Sequence, residues 1–358
     1  MEIRRFIGAQ ASEAELRQWH ELFLEHGRLT FPGFPRPGFE SFAASLRRTR
    51  YADRGPRHAW AAWEGDRLLG FGTVIYPDRY LPEWVDARVV VGAAYRRRGI
   101  GTALLREIVA DAAAQGRVTV ADDQVRLGRP GELWARAVGF TNTQRNRWQM
   151  LHVAEVDRAL WDVPVPAGFR LEQWTHAAPE SIVAEFAAAR NAIADAPTGE
   201  SSSYRESEWT VERVRRAEAD LRETGDELRF VVAVHEATGD VAGFTGMRVQ
   251  PDRMDLCWQR DTAVVAGYRG LGLGRVVKAA MMRRLVADFP DLEKVVTNNA
   301  ADNVHMLRVN EQIGYTHYAD IGVFEASVDE LGAALGMSSI TNIPGPRRDQ
   351  ELEAAEEA

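Results

Sequence analysis

The stretch AGYRGLGLGRVVKAAMMRRL, residues 266–285, decides the fold, because alternating glycines run directly into apolar residues at helical spacing. Residues 93–112, AAYRRRGIGTALLREIVADA, have a similar sequence. Both stretches contain Tyr-Arg-x-x-Gly-x-Gly, at a constant offset of 173 residues. An internal repeat of this kind predicts two related domains in one chain.

The similarity continues on both sides of the glycines. Upstream, LLGFGTVIYPDR (68–79) matches VAGFTGMRVQPDR (241–253) apart from one inserted residue. Downstream, RAVGF (136–140) matches EQIGY (311–315). Matches in the same order along the chain favour duplicated domains over a chance repeat of two glycine turns.

A proline-containing segment between the copies marks the predicted domain boundary. In WDVPVPAGFRLEQW, residues 161–174, two prolines remove backbone donors and disfavour a continuing helix. We therefore predict an N-terminal domain over residues 1–160 and a C-terminal domain over residues 161–336. Residues 337–358 are polar and end in acids, which predicts a disordered acidic tail.

Composition limits the classes of function that the chain can have. Its 358 residues, 45% of them hydrophobic, are enough to fill two ordinary cores. A formal net charge of -8 leaves no basic excess for a nucleic-acid backbone, and no apolar run reaches the roughly 20 residues of a membrane span. Cys257 is the single cysteine, which excludes an intramolecular disulfide and a thiolate-rich metal site. We expect a cytoplasmic protein that binds no nucleic acid, no membrane and no metal.

Each half follows the same order of elements. An opening strand leads to two helices, then to two strands joined by a turn with Gly and Asp, and then to a third strand that ends at the glycines. The helix after the glycines carries an apolar stripe that is typical of a core-facing helix. The order predicts an α/β fold in each half.

Glycines between a strand and a helix can serve an anion or only a turn. The first N–H groups of a helix lack helical partners and attract anions together with the helix dipole, and glycine lets a diphosphate approach the backbone. A tight turn alone would also explain one isolated Gly-x-Gly. Neither copy has the phosphate loop G-x-x-x-x-G-K-[ST], and Val277 stands where a dinucleotide fingerprint needs its third glycine.

On these residues the chain resembles the GNAT superfamily of acetyl-CoA-dependent N-acetyltransferases, in particular its tandem two-domain members of the mycothiol synthase type. Members carry Val-x-Pro-x-x-Arg/Gln-x-x-Gly-x-Gly/Ala. Here VGAAYRRRGIG (91–101) and VVAGYRGLGLG (264–274) fit, except that Ala93 and Ala266 replace the proline. TNNAADNVHMLRVNEQIGY (297–315) resembles the family's asparagine-containing last helix and its Gly-aromatic pair. The resemblance implies two tandem GNAT-like domains, each with a mixed, mostly antiparallel sheet flanked by helices.

The resemblance also implies that acetyl-CoA is the acyl donor, with one molecule possible in each domain. The glycine turns would hold its diphosphate, and the strand ends before them would pair with its pantetheine arm. Asn303 stands where relatives often have an asparagine near the cofactor, although an asparagine that begins a helix is also a common N-cap. The other residues implied to bind the cofactor are Val89, Val90, Val91, Arg96, Arg97, Arg98, Gly99, Ile100, Gly101 and Thr102 in the first copy, and Thr262, Ala263, Val264, Arg269, Gly270, Leu271, Gly272, Leu273, Gly274 and Arg275 in the second.

Acetyl transfer needs a group that takes a proton from the amine, and it benefits from a donor near the departing sulfur. Many relatives have a tyrosine acid four residues before the glycine of the Gly-aromatic pair, and here those positions are Ala135 and Asn310. Asn310 could donate a hydrogen bond to sulfur or to the thioester oxygen, or it could be a polar helix residue that is bonded locally. For the base, Asp255 and Asp261 lie on or beside the strand that leads to the glycines, and we favour Asp261.

The C-terminal domain is the predicted catalytic domain. The first copy departs further from the family, because Gly128 stands where the second copy has Asn303. We expect the N-terminal domain to bind cofactor or to act as a structural partner.

The loop DAPTGESSSYRESEW, residues 195–209, is expected to border the acceptor cleft, as the equivalent loop does in relatives. Asp195 and Glu200 could attract an amine, and Tyr204 and Trp209 could stack on it. Charged loops are also often simply solvated.

We therefore expect an N-acetyltransferase that moves acetyl to a primary amine of a small molecule by direct attack in a ternary complex. Two alternatives stay open. One is a non-catalytic CoA-binding or sensing protein, favoured by the missing tyrosine in both copies, and the other is acetylation of a protein amine. A monomeric pseudo-dimer and a homodimer are both compatible with the repeat.

Overall fold

A computed structural model of the chain describes residues 1–51, 54–78, 81–195, 208–223, 225–250 and 253–337. The chain divides into two compact units. Unit 1 comprises residues 1–142 and the chain from Val323, and unit 2 comprises residues 143–322.

The strands and helices are named in chain order. The first group is β1 (Glu2–Arg5), α1 (Glu13–Thr30), α2 (Phe39–Arg47), β2 (Arg50–Tyr51), β3 (Gly55–Glu64), β4 (Arg67–Ile75), β5 (Trp84–Val91), α3 (Ile100–Ala114), β6 (Thr119–Arg126), α4 (Pro130–Ala137) and β7 (Thr141–His152). The second group is β8 (Phe169–Thr175), α5 (Val183–Arg190), α6 (Val211–Glu223), β9 (Glu227–His235), β10 (Val241–Val249), β11 (Leu256–Val264), α7 (Leu273–Asp288), β12 (Lys294–Ala300), α8 (Val304–Glu311), β13 (Thr316–Ser327) and α9 (Val328–Ala334).

Unit 1 is a sheet with helices on both faces. Its strand order is β1-β3-β4-β5-β6, in which β5 and β6 run parallel and the other neighbours run antiparallel. Helix α1 begins at a capping box in which Ser12 and Glu15 exchange hydrogen bonds. Helices α1 and α2 pack around Trp19 on one face, and α3 packs Leu104 and Ile108 on the other.

Unit 2 repeats this plan. Its strand order is β7-β12-β11-β10-β9-β8, with β11 and β12 parallel. Helix α7 covers one face with Val277 and Met281, in a core that includes Cys257, and α5 and α6 cover the other around Phe186. Burial raises the pKa of the Cys257 thiol to about 12, so this cysteine is an inert small apolar residue.

The last strand of each sequence copy contributes to the compact unit of the other copy. Residues 143–152 of β7 belong to unit 2, where β7 pairs along β12. The end of β13, from Val323, belongs to unit 1 together with α9, and Phe324 lies in the core beneath α3. The division at residue 160 stays a prediction about the sequence copies, and the compact units exchange their final strands.

The predicted fold class is confirmed, since the structure is mixed α/β with mostly antiparallel strands flanked by helices. Among the described residues, no helix combines the length and the apolar character that a membrane crossing requires. In the same ranges, no group of three or more His, Cys, Asp or Glu side chains is placed to hold a metal ion.

Candidate active site

The two glycine turns have the same backbone conformation. In unit 2, Gly270 and Gly272 have φ angles of 82° and 76°, and Gly272 is the N-cap of α7. In unit 1, Arg97 and Gly99 have φ angles of 63° and 77° at the same places before α3. Left-handed backbone at these positions turns the strand into the helix and leaves the first N–H groups of the helix without helical partners. N–H groups at the start of a helix are a common binding site for anions, so anion binding at the two turns stays the prediction.

Next to each turn, two parallel strands separate. The ladder between β11 and β12 joins Leu256–Trp258 to Lys294–Val296 and ends there, although β11 continues to Val264. Beyond that point β11 stays paired with β10, and β12 stays paired with β7. The separation leaves an opening whose β11 side carries backbone groups that no longer pair with β12. In unit 1, β5 and β6 separate in the same way after Asp86.

A β-bulge distinguishes the opening of unit 2. Thr245 pairs with Thr262 and Met247 pairs with Gln259, so β11 has two residues opposite the single Gly246. The Gln259 side chain donates to the Gly246 carbonyl oxygen at 2.7 Å. The β4–β5 ladder of unit 1 has an unbroken register. Bulges re-aim backbone and side chains and are common beside active sites, and of the two ladders only that between β10 and β11 has one.

Asp261, the predicted base, lies in this bulge and faces α5. Its Oδ2 accepts a hydrogen bond from Arg190 at 2.8 Å, and the carboxylate is about one-third exposed, with 36% of its side-chain surface accessible. Arg190 is buried, and burial lowers its pKa to about 10. The Arg190 guanidinium lies 3.2 Å from the centroid of Trp209. Asp261 is therefore an ion-paired carboxylate at the α5 face of the opening.

The other predicted acceptor residues lie around the same face. Trp209 also contacts the guanidinium of Arg213, which lies 4.0 Å from the ring centroid. Asp195 is ion-paired with Arg269 at 2.5 Å. Glu200 and Tyr204 lie outside the described residues.

The two asparagines that the sequence singles out have structural partners. Asn303 is the N-cap of α8, and its side chain accepts a hydrogen bond from the Met306 N–H at 3.2 Å. Asn310 is fully buried and donates to Gln149 Oε1 at 2.9 Å. Both contacts match the structural alternatives that the sequence left open, and the proposed roles of the two residues at the cofactor stay predictions.

The loop arginines hold the turn itself. Arg96 donates to the Val91 carbonyl oxygen at 3.4 Å, and Arg269 donates to the Val264 carbonyl oxygen at 3.1 Å. The two bonds are equivalent in the two copies, so they fix the strand end against the turn. Each guanidinium has further N–H groups with which it can also meet an anion.

In unit 1, charged side chains lie on the two strands where they separate. Arg88 on β5 lies 3.7 Å from Asp122 and 3.6 Å from Asp123 on β6, and burial raises the pKa of Asp122 to about 6. A Cβ placed at Gly101 would lie 3.4 Å from the Trp134 indole, so this tryptophan packs on the first turn of α3. The second copy has Val309 at the position of Trp134.

The sequence profile described as Acetyltransferase (GNAT) family matches residues 16–127 and 193–315, which is more than half of the chain and includes both openings. The chain belongs to the GNAT acetyltransferase family. The predicted family is confirmed, and with it the prediction of an N-acetyltransferase.

Two mycothiol acetyltransferases are similar to this GNAT chain. The protein from Nocardia farcinica (strain IFM 10152) is 29% identical over 283 residues, which are 78% of this chain and 83% of the relative. The protein from Clavibacter sepedonicus is 30% identical over 149 residues, which are 38% of this chain and only 43% of the relative.

Solved structures share the fold. A tandem GNAT protein from the clavulanic acid biosynthesis pathway has a TM-score of 0.74 at 24% identity, covering 91% of this chain and 99% of its own. A GCN5-related N-acetyltransferase from Sphaerobacter thermophilus has a TM-score of 0.66 at 13% identity, covering 91% of this chain and 96% of its own. The tandem arrangement of GNAT folds thus recurs across nearly the whole chain.

Sequence reasoning missed Arg190 and Gln149, which contact two of the predicted catalytic residues of this GNAT enzyme. Arg190 ends a helix whose apolar pattern gives no sign of an ion pair with a residue 71 positions later. Gln149 comes from the exchanged strand β7 and meets Asn310 across 161 positions. Packing of α5 on β11 brings Arg190 to Asp261, and pairing of β7 with β12 brings Gln149 to Asn310.

Proposed function

We propose that this GNAT enzyme transfers acetyl from acetyl-CoA to a primary amine of a small molecule by direct attack in a ternary complex, with unit 2 as the catalytic unit. The observation that carries the proposal is the bulged opening beside α7, where β11 leaves β12 next to the glycine turn. The names of two relatives make the acceptor of the mycothiol acetyltransferases the first acceptor to test.

The donor fits this opening in length and in chemistry. Backbone N–H groups at Gly270–Arg275 would hold the diphosphate, because they stand at the positive end of α7. The steps from Val264 back to Gln259 span about 17 Å of strand, along which backbone groups that face away from β10 would pair with the amide groups of an extended pantetheine arm. Acetyl-CoA supplies the activated acyl group, and this chain's own residues position it at the bulge.

The acceptor would approach from the α5 face. Asp261 lies there, and its carboxylate can orient an ammonium group and take up its proton directly or through water. Arg190 holds the carboxylate in place at 2.8 Å. A primary amine with a pKa near ~10.4 is mostly protonated at neutral pH, so a group that removes this proton raises the fraction able to attack.

Unit 1 has the same turn before α3, and one acetyl-CoA in each unit is part of the proposal. Its opening carries the Arg88, Asp122 and Asp123 charges and has no bulge in the β4–β5 ladder. We assign it a cofactor-binding or structural role.

A second candidate function is CoA binding without catalysis. It is favoured by Asn310, since a fully buried amide bonded to Gln149 stands where many relatives have a tyrosine acid. The two functions are separated by turnover with a suitable amine.

The test combines calorimetry with a thiol-release assay. Acetyl-CoA is titrated into the wild type and into Gly101→Glu and Gly274→Glu, which place matched anions at the two diphosphate positions. Release of free CoA thiol is then followed first with the acceptor of the mycothiol acetyltransferases, and then with amino sugars, amino acids, polyamines and a peptide. We expect Gly274→Glu to lower turnover by about 100-fold through displaced donor, and Gly101→Glu to leave it near the wild-type level.

Three outcomes contradict parts of the proposal. If the wild type does not bind acetyl-CoA, the proposed function is wrong. Binding without turnover for any acceptor favours the non-catalytic alternative. Loss of turnover in Gly101→Glu alone moves catalysis to unit 1.

A further inference from the structure

Seven equivalent positions around the two openings are polar in unit 2 and apolar in unit 1. Equivalence follows from the helix N-caps, from the strand partners, and from the glycine of each Gly-aromatic pair. The polar residues of unit 2 are Thr245, Gln259, Thr262, Lys278, Asn310, Tyr315 and Gln149, and their counterparts in unit 1 are Gly72, Ala87, Val89, Leu105, Ala135, Phe140 and Phe324. The fold therefore forms without polar groups at these positions.

Several of the unit 2 groups are linked to one another. Thr262 and Thr245 join their hydroxyls at 2.7 Å, and Gln259 Nε2 donates to the Thr245 hydroxyl at 2.8 Å. The Tyr315 hydroxyl donates to Gln259 Oε1 at 3.5 Å. Lys278 Nζ lies 5.6 Å from the centre of the Tyr315 ring. A run of hydrogen-bonded groups thus leads from the strand opening to Tyr315, and the face of the Tyr315 ring meets the lysine on α7.

Burial of Lys278 reduces the stability of the fold. Only 1% of its surface is exposed, and burial lowers its pKa to about 7. The Tyr315 ring faces the lysine, and burial together with the nearby Cys257 on β11 raises the pKa of Tyr315. Burial of a lysine without a counter-ion destabilises a fold, and Leu105 fills the same place in unit 1 with an ordinary core residue.

The other charges of α7 are engaged elsewhere. Arg275 and Arg283 donate to the backbone carbonyl oxygens of Leu160 and Trp161. Asp288, in the last turn of α7, is ion-paired with Arg229 on β9. These pairs leave Lys278 as the buried cation of α7 that faces Tyr315.

On the basis of the proposed function, we propose that Lys278 protonates the departing thiolate of the acyl donor, acting from the α7 side of the opening in unit 2. In this step the acceptor nitrogen forms a bond to the acetyl carbon and the C–S bond breaks, with its electron pair going to sulfur. A proton moves from Lys278 Nζ to that sulfur, directly or through the Tyr315 hydroxyl. The amine releases one proton to solvent, and Lys278 regains one from solvent.

The transfer connects two groups with similar pKa values. A CoA thiol has an ordinary pKa near ~8.5, and a neighbouring cation lowers it by about 1–3 units, toward the pKa of about 7 to which burial lowers the Lys278 ammonium. General acids are most effective when their pKa lies near the working pH. The lysine thereby supplies what the tyrosine of many relatives supplies at the position of Asn310.

The experiment follows the ionisation of bound CoA and needs no acceptor. Free CoA is bound to the wild type, to Lys278→Met and to the matched control Leu105→Met, and the ultraviolet absorbance of the thiolate is recorded against pH. A cation near sulfur lowers a thiol pKa by about 1–3 units. We expect such a downward shift in the wild type and in Leu105→Met, and a return to the ordinary range in Lys278→Met.

The outcomes separate the two proposals. If CoA binds the wild type but its thiol ionises in the ordinary range, the role of Lys278 is overturned without any variant, and the proposed function stands. The same conclusion follows if Lys278→Met binds CoA and keeps the shifted thiol. If the wild type does not bind CoA, the proposed function fails and the role of Lys278 fails with it.

Discussion

Asn310 and Gln149 lie 161 residues apart in the chain and share a buried hydrogen bond of 2.9 Å. Each residue comes from a different sequence copy, and the exchanged strand β7 brings them together in unit 2. In the part of the chain that the structure describes, Asn310 Oδ1 has no hydrogen-bond partner. The Asn310 amide thus uses its N–H group but not its oxygen, and the free energy of unfolding should depend strongly on the one hydrogen bond that it makes.

The first prediction concerns the coupling of this pair. Asn310→Ala and Gln149→Ala should each destabilise the protein by about 1–3 kcal/mol, because each leaves a buried amide without its partner. The double variant should cost less than the two single changes together, with a coupling energy of about 0.5–3 kcal/mol. Urea unfolding of all four proteins measures this. Strict additivity would mean that the two amides do not interact in solution.

The second prediction concerns the pH dependence caused by Lys278. Its folded pKa of about 7 lies below its ordinary value of 10.5, so between these values the unfolded chain binds more protons than the folded chain. The destabilisation is therefore absent above the ordinary pKa, grows as pH falls through this window, and is complete below pH 7. At pH 7 the replacement Lys278→Met should stabilise the protein by about 3–5 kcal/mol.

Urea unfolding at pH 7 and near pH 10 tests this dependence, with Leu105→Met as the matched control in unit 1. The stabilisation by Lys278→Met should shrink strongly at the higher pH, whereas the effect of Leu105→Met should be small at both. A gain that is equal at the two pH values would indicate better packing as its cause, with no contribution from the charge of Lys278.

The glycine turns were predictable from sequence because their conformational requirement is local. Gly272 must adopt a left-handed backbone, and its neighbours in the chain suffice to reveal that. The bulge at Asp261 was not predictable, because it depends on how β11 pairs with β10, and the apolar pattern of one short strand does not contain that pairing. The ion pair from Arg190 and the hydrogen bond from Gln149 depend on tertiary pairing, which periodicity does not contain.

The third prediction tests the ion pair at the bulge. Asp261→Asn should destabilise the protein by about 2 kcal/mol, because it leaves the buried Arg190 guanidinium without its carboxylate. The loss is smaller than for a fully buried pair, because solvent at the exposed side of Asp261 screens part of the interaction. Asp195→Asn breaks the ion pair with Arg269, in which both side chains are about half exposed, and should cost at most about 1 kcal/mol. Equal losses in the two variants would show that solvent screens both pairs alike.

Activity adds a second readout to the same variants. If Asp261 takes the proton of the acceptor, Asp261→Asn lowers turnover and removes the acidic limb of the pH–rate profile. If Asp261 only orients Arg190, the turnover falls but the profile keeps its shape. Asp195→Asn should leave the profile unchanged in either case.

The last prediction concerns the backbone of the turn that precedes α7. Gly270 and Gly267 both have open space where a Cβ would stand, but only Gly270 has a positive φ, of 82°. Gly270→Ala should therefore destabilise the protein by about 1 kcal/mol through backbone strain alone, whereas Gly267→Ala should be neutral or stabilising by up to about 1 kcal/mol. Thermal unfolding compares the two stabilities, and calorimetry with acetyl-CoA compares the two affinities. Because strain opens the turn that presents the N–H groups of α7, Gly270→Ala should also weaken acetyl-CoA binding in unit 2. If both alanines have the same effect on stability and on binding, the left-handed turn has no part in holding the donor.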